Sequence, residues 1–416
     1  MNIKIKEKHN VDKPVELSIE KGLITKVTEP NKFIVFLKRW YLLLLTLIII
    51  FSAGIGGYFY ISSNLQTSLG SFSANSDSND NKGTYAPKKV FLESPTNGAW
   101  IPEDKFAERK NNKILTVMIE NLAGSNGARP QAGLQDADIV YETLAEGDIT
   151  RFMAVFWNNH TDDTSSITTD KVMPVRSARK YYIDWLMEYN DPLYMHIGQA
   201  ESEIEATNAL GALARYGIKD VSGAGNSFDR DHTCEITKSQ EHCAFSDTKT
   251  LWDIGKQKGW TGLGDVQMLK YKDDLVMDQT LTYKDATDIS VDFLGYPEDY
   301  GAKWAYDSAT NLYKRSIGSS KMLDQVSGNQ ITTKTLIVQN TSITVSEDNG
   351  KWHKIIKTIG SGDAWIFQDG KSVEATWKKD KLTNRTKYYD KVSGKELSLN
   401  RGKMWITVTG KTPVVK

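Results

Sequence analysis

Residues 114–120, 137–145 and 151–158 read ILTVMIE, ADIVYETLA and RFMAVFWN, and these three apolar runs decide the fold. Their length and their content of β-branched and aromatic residues are typical of strands. A helix capped by Ser177 is predicted next, because apolar residues recur at three- and four-residue spacing from Ile183. Strands that alternate with helices predict an α/β domain, in which helices cover a largely buried sheet.

Segments on either side of that helix fit the same pattern. We predict a fourth strand at DKVMPV (170–175) and a fifth at PLYMHIG (192–198). Further helices are predicted over 201–217, ended by Gly217, and around 250–259.

The pattern changes to β in the last third of the chain. Residues 334–348, 363–379 and 404–409 alternate apolar with polar residues or carry turn signals such as Asp-Gly. We therefore predict an α/β domain over 85–278, followed by a mainly antiparallel β domain over 279–416.

The chain carries 52 Lys and Arg against 52 Asp and Glu, so its formal net charge is zero. This balance excludes the overall basic field of a general nucleic-acid-binding protein. The 416 residues suffice for two or three domains of about 100–200 residues each.

Residues 40–62 read WYLLLLTLIIIFSAGIGGYFYIS and carry no charge. A helix of this length crosses a hydrocarbon layer of about 30 Å. Basic residues precede the segment up to Arg39, and the next charge is Asp77, so the positive-inside rule places residues 1–39 in the cytoplasm. A cleaved signal peptide is the alternative, although the apolar stretch is longer and starts later than usual. We predict a single-pass anchor, a flexible linker over 63–84, and the bulk of the chain outside the cytoplasmic membrane.

Cys234 and Cys243 are the two cysteines of the chain. Outside the cytoplasm, their even number and short spacing favour a local disulfide. Free thiols are a second possibility. Zinc binding is a third, because His232 and His242 lie beside the cysteines, although the spacing matches no established zinc motif.

Arg151, Arg176 and Arg179 are candidate ligand-binding residues, because guanidinium groups bind phosphate or carboxylate bidentately without losing their charge. Arg176 and Arg179 flank the predicted start of a helix, and helix N-termini attract anions. Arg129, in a Gly-rich turn, is a fourth candidate. The structural alternative is that these arginines only pair with nearby carboxylates.

Glu142, Glu146 and Asp148 are carboxylates that precede Arg151 in the sequence. They are candidate counter-ions, or ligands for a divalent cation such as Mg²⁺, which prefers hard oxygen ligands. We expect Glu142 and Asp148 to lie in the ligand site in either role.

His196 and His242 are candidate general acids or bases. His196 lies near the end of a predicted strand, where α/β sheets place their ligands. A histidine with a purely structural role is the alternative. The sequence contains no Gly-x-Ser-x-Gly, P-loop or His-Glu-x-x-His motif, which argues against standard hydrolases, nucleotide-driven enzymes and metalloproteases. Whether the chain is an enzyme stays open.

Residues 128–156 (ARPQAGLQDADIVYETLAEGDITRFMAVF) and 174–185 (PVRSARKYYIDW) resemble the YerB-like family of bacterial membrane-bound proteins. Residues 304–324 (WAYDSATNLYKRSIGSSKMLD) and 399–408 (LNRGKMWITV) resemble the β-rich second domain of that family. The resemblance implies a two-domain protein of the cell envelope without an established reaction. Members are described as lipoproteins, but this chain has a predicted anchor and no lipid-accepting cysteine after it, so we do not carry that label over.

The order of arginine-bearing strands is also similar, at the level of pattern, to LytR–CpsA–Psr enzymes, which bind lipid-linked glycans through arginines. These resemblances favour an envelope protein that binds a lipid-linked phosphate or a wall polymer. The alternative is a non-catalytic scaffold that engages an envelope protein and uses its arginines in salt bridges. Unpaired arginines in an open groove would favour binding, and fully paired ones would favour the scaffold.

Overall fold

A computed structural model describes residues 90–158, 168–293 and 297–416. The predicted tail, span and linker over 1–84 lie outside these residues. Within the described ranges, no helix is both long enough and apolar enough to cross a membrane. The anchor at 40–62 therefore stays a prediction.

The described strands are numbered in chain order. They are β1 Phe91–Glu93, β2 Trp100–Pro102, β3 Leu115–Glu120, β4 Ile139–Leu144, β5 Thr150–Phe156, β6 Leu193–Met195, β7 Lys219–Asp220, β8 Asp229–Arg230, β9 Ala244–Phe245, β10 Tyr271–Lys272, β11 Lys284–Asp285, β12 Asp288–Val291, β13 Ala302–Asp307, β14 Leu312–Ile317, β15 Ser320–Lys321, β16 Thr332–Thr333, β17 Thr335–Asn340, β18 Ile343–Asp348, β19 Lys351–Ile356, β20 Gly360–Gln368, β21 Lys371–Lys379, β22 Lys387–Asp390, β23 Leu399–Asn400, β24 Met404–Thr409 and β25 Val414–Val415.

The described helices are short. They are α1 Glu103–Arg109, α2 Lys180–Leu186, α3 Ala209–Arg215, α4 His232–Glu235, α5 Thr248–Gln257 and α6 Pro297–Tyr300, with 3₁₀ turns at Glu146–Asp148, Met187–Tyr189 and Gln240–His242. Helix α5 begins where the Asp247 side chain accepts a hydrogen bond from the Thr250 amide, and α3 ends just before Gly217, whose φ is +60°.

The central sheet contains strands from both predicted domains. Its order is β11-β21-β20-β17-β24-β4-β5-β3-β6-β7, with β22 beside β21. Strand β24 pairs in parallel with β4 on one side and with β17 on the other. The strands β17, β24, β4, β3, β6 and β7 therefore all run in one direction, with β5 antiparallel between β4 and β3. The boundary at 278/279 stays a prediction, and the sheet extends across it.

A second sheet has the order β15-β14-β13-β12-β25, with β16 beside β14, and all its pairs are antiparallel. The fold class is thus a mixed α/β sheet together with a mostly antiparallel β sheet.

Both faces of the central sheet are covered, which is why its strands read as continuous apolar runs. Met118 and Tyr141 belong to the hydrophobic cluster that α2 completes on one face. Val117 and Val140 belong to the cluster on the other face, which α5 and the second sheet complete. Successive side chains of a strand point to opposite faces, so each buried strand feeds both clusters.

Two local predictions are wrong. Residues 170–175 do not form a strand, because Val172, Met173 and Val175 make only isolated bridges to three different segments. Ser177 is not a helix cap: α2 begins at Lys180, its N-cap is Arg179, and no side chain accepts a capping hydrogen bond. The alternation of apolar residues in 170–175 reflects burial between other segments and not membership of a ladder.

A fully buried ion pair joins the two sheets. The carboxylate of Glu142 on β4 accepts a hydrogen bond of 2.8 Å from Arg315 Nη2 on β14, and both side chains are 0% exposed. The same carboxylate accepts hydrogen bonds from Trp405 Nε1 on β24 (3.0 Å) and Thr150 Oγ1 on β5 (3.2 Å). A buried charge is tolerated when it is paired and hydrogen-bonded, as it is here.

Replacing Glu142 with Gln is expected to lower the free energy of unfolding by about 3–5 kcal/mol, because Arg315 would then be a buried charge without its counter-ion. Urea unfolding followed by tryptophan fluorescence measures this change. The control is Glu205→Gln, which removes a carboxylate that is 72% exposed and paired with Arg215, and it should cost less than about 1 kcal/mol. An E142Q protein as stable as the wild type would show that the pair does not hold the sheets together.

Candidate functional site

The candidate site lies at one edge of the central sheet, where the parallel strands β3, β6 and β7 end. Glu120 is the last residue of β3, His196 follows β6 directly, and Asp220 ends β7. Arg151 lies at the start of β5, directly opposite Glu120. Because β5 is antiparallel, its beginning meets the carboxyl ends of its neighbours. Ligands of open α/β sheets bind at this kind of edge.

The segment 175–178 runs between the diverging ends of β3 and β6. The amide of Arg176 donates to the Met118 carbonyl (3.0 Å), and the amide of Ile197 donates to the Arg176 carbonyl (3.1 Å). Ala178 N donates to Gly198 O at 2.9 Å. The chain itself therefore fills the crevice between the two strands, and it brings Arg176 and Arg179 to the same edge as Arg151.

Arg176 and His242 share one carboxylate. Arg176 Nε lies 3.1 Å from Glu120 Oε1, and His242 Nδ1 donates to Glu120 Oε2 at 2.7 Å. Glu120 and His242 are both buried, while the Arg176 side chain is 27% exposed. Two residues that the sequence suggests for different roles thus form one network. Sequence reasoning missed Glu120, although a carboxylate that ends an apolar strand is the signal that could have found it.

Arg179 is held by Glu146. Its Nε lies 2.7 Å from both carboxylate oxygens, and its Nη2 lies 2.6 Å from Oε2. Burial alone would raise the pKa of Glu146, but the hydrogen bonds and the charge of Arg179 outweigh burial and lower that pKa to about 2. His353 Nδ1, on β19, lies 3.2 Å from Glu146 Oε1. A pairing considered from the sequence is therefore present, and His353 is an additional partner that the sequence did not suggest.

Arg151 differs from the other two arginines. It is only 8% exposed, and its Nη1 donates to the Ser177 carbonyl at 3.0 Å. Among the described residues, no carboxylate lies within 4.0 Å of its guanidinium. Burial and the neighbouring charge of Arg179 lower the pKa of Arg151. Arg151 is thus a buried cation with no carboxylate of the described residues in direct contact, and the negative charges of Glu146 and Glu120 act on it only at longer range.

Tyr194, on β6, lies close to these arginines. Burial raises its pKa well above the usual value, and the charges of Arg151 and Arg179 oppose that rise. Its hydroxyl is buried and has no hydrogen-bond partner among the described residues, and the same is true of His353 Nε2. Buried polar atoms without partners are uncommon in folded proteins. Sequence reasoning missed Tyr194, because it reads as an ordinary apolar strand residue.

Three of the predicted ligand-binding residues lie elsewhere or have other partners. Glu142 is buried against Arg315, since it faces the interior of the sheet and not its edge. Asp148 pairs with Lys354 Nζ at 2.6 Å and forms no ion pair with an arginine of the described residues. Arg129 lines a separate cavity of about 460 Å³ and donates to Asn121 Oδ1 (2.8 Å). The structure thus pairs Glu142 and Asp148 with cations other than the three arginines, and their role in a ligand site stays a prediction.

His196 is buried, with 3% of its surface exposed. Its Nδ1 donates to the Gly198 carbonyl at 2.8 Å, and its Nε2 lies 3.3 Å from Asp220 Oδ2. In the ranges that the structure describes, no three His, Cys, Asp or Glu side chains are grouped to hold a metal ion. Catalytic roles for His196 and His242 stay predictions.

Cys234 and Cys243 are joined by a disulfide, with their Cα atoms 5.6 Å apart. The bond closes the loop that carries His242 towards Glu120. Cys243 is fully buried beside Ala132 and Met173. The disulfide therefore helps to hold the loop that contains His242 at the edge of the sheet where the candidate site lies.

Two family models match the chain one after the other. Residues 102–261 match the N-terminal domain of a protein of unknown function, DUF3048, and residues 289–406 match its C-terminal domain. The chain belongs to this family. The family resemblance inferred from the sequence is thus confirmed, and the family brings no established reaction.

Relatives of known name agree with this membership. "Putative lipoprotein YerB" of Bacillus subtilis strain 168 is 27% identical over 324 residues, which make up 77% of this chain and 85% of that protein. The crystal structure of the YerB protein from Bacillus subtilis matches with a TM-score of 0.61 at 23% identity, covering 78% of this chain and 99% of that one. This likeness supports the fold described above.

The Arg179–Glu146 pair predicts a pH dependence for this DUF3048 protein. The lowered pKa of Glu146 means that its contribution to stability is present above the unfolded-state pKa of about 4.5 and is lost as the pH falls towards 2. Glu146→Gln should therefore lower the free energy of unfolding at pH 7, by no more than about 3 kcal/mol, and should lower the melting temperature accordingly. The difference from the wild type should shrink steadily below pH 4.5. Thermal melts across this pH range measure the effect.

The control for this experiment is Glu205→Gln, because Glu205 is largely exposed and its pairing with Arg215 is screened by solvent. Its melting temperature should follow the wild type at every pH. A constant gap between wild type and E146Q from pH 7 to pH 2 would contradict the proposed state of Glu146.

Proposed function

We propose that the protein is a membrane-associated, extracytoplasmic member of its family that binds an anionic ligand at the arginine cluster of Arg151, Arg176 and Arg179. The name of the Bacillus subtilis relative as a lipoprotein supports a place at the membrane surface. In this chain the predicted transmembrane span at 40–62 would anchor the protein to the membrane in place of a lipid.

The observation that carries the proposal is the buried guanidinium of Arg151. Arg176 and Arg179 each have a carboxylate partner, Glu120 and Glu146, so three positive charges face two negative ones. An isolated buried charge is costly, and one carboxylate or phosphate oxygen would offset that cost. The Tyr194 hydroxyl, buried and without a partner in the described chain, is a further donor of suitable chemistry.

The ligand class follows from these donors. Guanidinium groups bind phosphate bidentately, and a phosphate of a lipid-linked intermediate or of a wall polymer is an anion available outside the membrane. The proposal assigns no covalent step to any residue of the cluster. The proposal is therefore binding, without turnover.

A scaffold is the second candidate, and a specific observation favours it. The networks Arg176–Glu120–His242 and Arg179–Glu146–His353 tie together segments that are far apart in the sequence. In that case the arginines stabilise the shape of the edge, and the protein engages an envelope protein through another surface. The two candidates differ in what Arg151 contributes to stability.

The test is a thermal-shift titration of the full chain in a polyoxyethylene detergent. The probes are inorganic pyrophosphate and a short-chain prenyl pyrophosphate, each with and without Mg²⁺ and at constant ionic strength. Ligand at about 100 times its Kd stabilises by about 2.7 kcal/mol, which is a readily measured rise in melting temperature. We expect this rise in the wild type and its absence in Arg151→Met, which keeps an unbranched side chain but removes the guanidinium group and its charge.

Arg151→Met also separates the two candidates without ligand. If Arg151 is an uncompensated cation kept for binding, its removal should leave the melting temperature equal to or above that of the wild type. If Arg151 is a structural residue, the variant should melt well below the wild type, and no pyrophosphate-dependent shift should occur. Arg215→Met is the matched control, because Arg215 is half exposed and distant from the cluster in sequence.

A further inference from the structure

A second cavity lies at the opposite edge of the central sheet. Its volume is about 490 Å³, which is within the range of small-molecule sites. Gln135 comes shortly before β4, Thr332–Lys334 lie just before β17 or on β16, and Gly402 and Lys403 lie just before β24. Because β4, β17 and β24 are parallel, their amino ends meet at this edge. The cavity is therefore separated from the arginine cluster by the length of the strands.

Trp100 on β2 forms one wall of this cavity and is 52% exposed. The Arg401 guanidinium lies 4.0 Å from the centroid of the indole ring, so one ring face is covered. Arg401 is itself fixed by Asp273 Oδ1 (2.9 Å), by the Gly98 carbonyl (2.7 Å) and by Glu93. The indole is thus held in one orientation while half of its surface stays accessible. An accessible, rigid aromatic ring is a stacking surface.

Two carboxylates around the ring are each held by one neighbour through one oxygen. Asp273 uses Oδ1 for Arg401, and Asp274 uses Oδ2 for Lys334. The second oxygen of each carboxylate makes no hydrogen bond to a described residue. The carboxamide of Gln135 lies against Thr332, through hydrogen bonds of 2.9 Å and 3.1 Å. Acceptors that are already oriented bind a ligand with little loss of side-chain entropy.

Acidic and basic side chains face each other at this edge, without an excess of positive charge. Glu93, Asp273 and Asp274 face Lys334 and Arg401, with Lys403 buried behind them. Burial lowers the pKa of Lys403 to about 7, and its Nζ donates to the Gln135 carbonyl at 2.8 Å. This edge therefore has no excess positive charge to attract an anion, in contrast to the arginine cluster. A neutral ligand rich in hydroxyl groups suits it better.

We infer that this cavity binds pyranose units of an oligosaccharide, with one sugar ring stacked on Trp100 and its hydroxyl groups bound by Asp273, Asp274 and Gln135. A pyranose ring has an apolar C–H face, which packs on an aromatic ring, and a rim of hydroxyl groups, each a donor and an acceptor. A carboxylate oxygen accepts from these hydroxyls, and the amide can both donate and accept. The inference does not rest on the arginine cluster, which occupies the other edge.

The experiment is calorimetric titration of the full chain, kept in a polyoxyethylene detergent because maltoside or glucoside detergents would compete. The probes are chitotetraose, cellotetraose and maltotetraose, which distinguish amino-sugar from glucose polymers. We expect at least one of them to bind, and Trp100→Ala to weaken that binding by about 10-fold or more, the loss of roughly 1.4 kcal/mol of stacking. Trp100→Phe, with a smaller ring, should fall between the two.

Trp352→Ala is the matched control, because Trp352 on β19 is 64% exposed and does not line the cavity. Its affinity should stay within about 2-fold of the wild type, a change of roughly 0.4 kcal/mol. Asp273→Asn should weaken binding of the sugar. Its change in melting temperature should be no larger than the change caused by Trp100→Phe. Arg151→Met should bind the sugar normally, so failure of this inference and failure of the anion site are separate results.

Two outcomes would overturn the inference. One is that none of the three tetrasaccharides binds up to about 10 mM, which corresponds to a binding free energy weaker than about 3 kcal/mol. The other is binding that Trp100→Ala and Trp100→Phe leave unchanged, or that Trp352→Ala weakens equally.

Discussion

The pairing of Glu142 with Arg315 is the constraint on which the rest of the structure depends. Glu142 binds groups from three other strands, β5, β14 and β24, and Arg315 lies 4.7 Å and 5.1 Å from the ring centroids of Trp405 and Trp304. A carboxylate with no exposed surface needs every one of these donors, because each lost partner leaves a buried charge poorly compensated. The pair therefore requires that β24 lies beside β4 and that β14 packs beneath both. Those positions in turn determine which residues meet at each end of the sheet.

Because six strands of the central sheet run in one direction, its two edges differ chemically. The carboxyl edge gathers Glu120, Arg151, His196 and the inserted segment 175–178, and it carries more positive than negative side chains around Arg151. The amino edge gathers Trp100, Asp273 and Lys334 in a cavity without an excess of positive charge. A six-residue strand spans about 20 Å. Under the two proposals, ligands at the two edges would lie about one strand length apart and would not interfere with each other.

Much of the fold can be predicted from the sequence, and the reason is burial. Strands β3, β4, β5 and β24 are covered on both faces, so each appears as an uninterrupted apolar run of the right length. The position of β24 between β4 and β17 cannot be predicted this way, because the pairing joins residues more than 260 positions apart and no local pattern encodes it. A long sequence separation also explains why the sequence does not predict the ion pair of Glu142: its partner Arg315 lies 173 positions away, whereas proximity along the chain suggests the arginines at 151, 176 and 179.

The candidate site shows a similar limit. The sequence identifies three arginines of equal apparent value, yet their surroundings make them unequal, since Glu120 and Glu146 each neutralise one and leave Arg151 as the buried cation. Arg176 and Arg179 reach this edge only because the segment 175–178 inserts between β3 and β6, which residue spacing does not reveal. The two ion pairs also fix the guanidinium groups beside Arg151, so an arriving anion would meet donors already in place. In a site of low dielectric this preorganisation matters more than the number of charges, because no reorientation has to accompany binding. The ion pairs of Arg176 and Arg179 favour a scaffold. The same two ion pairs are also what an effective anion site would need around Arg151.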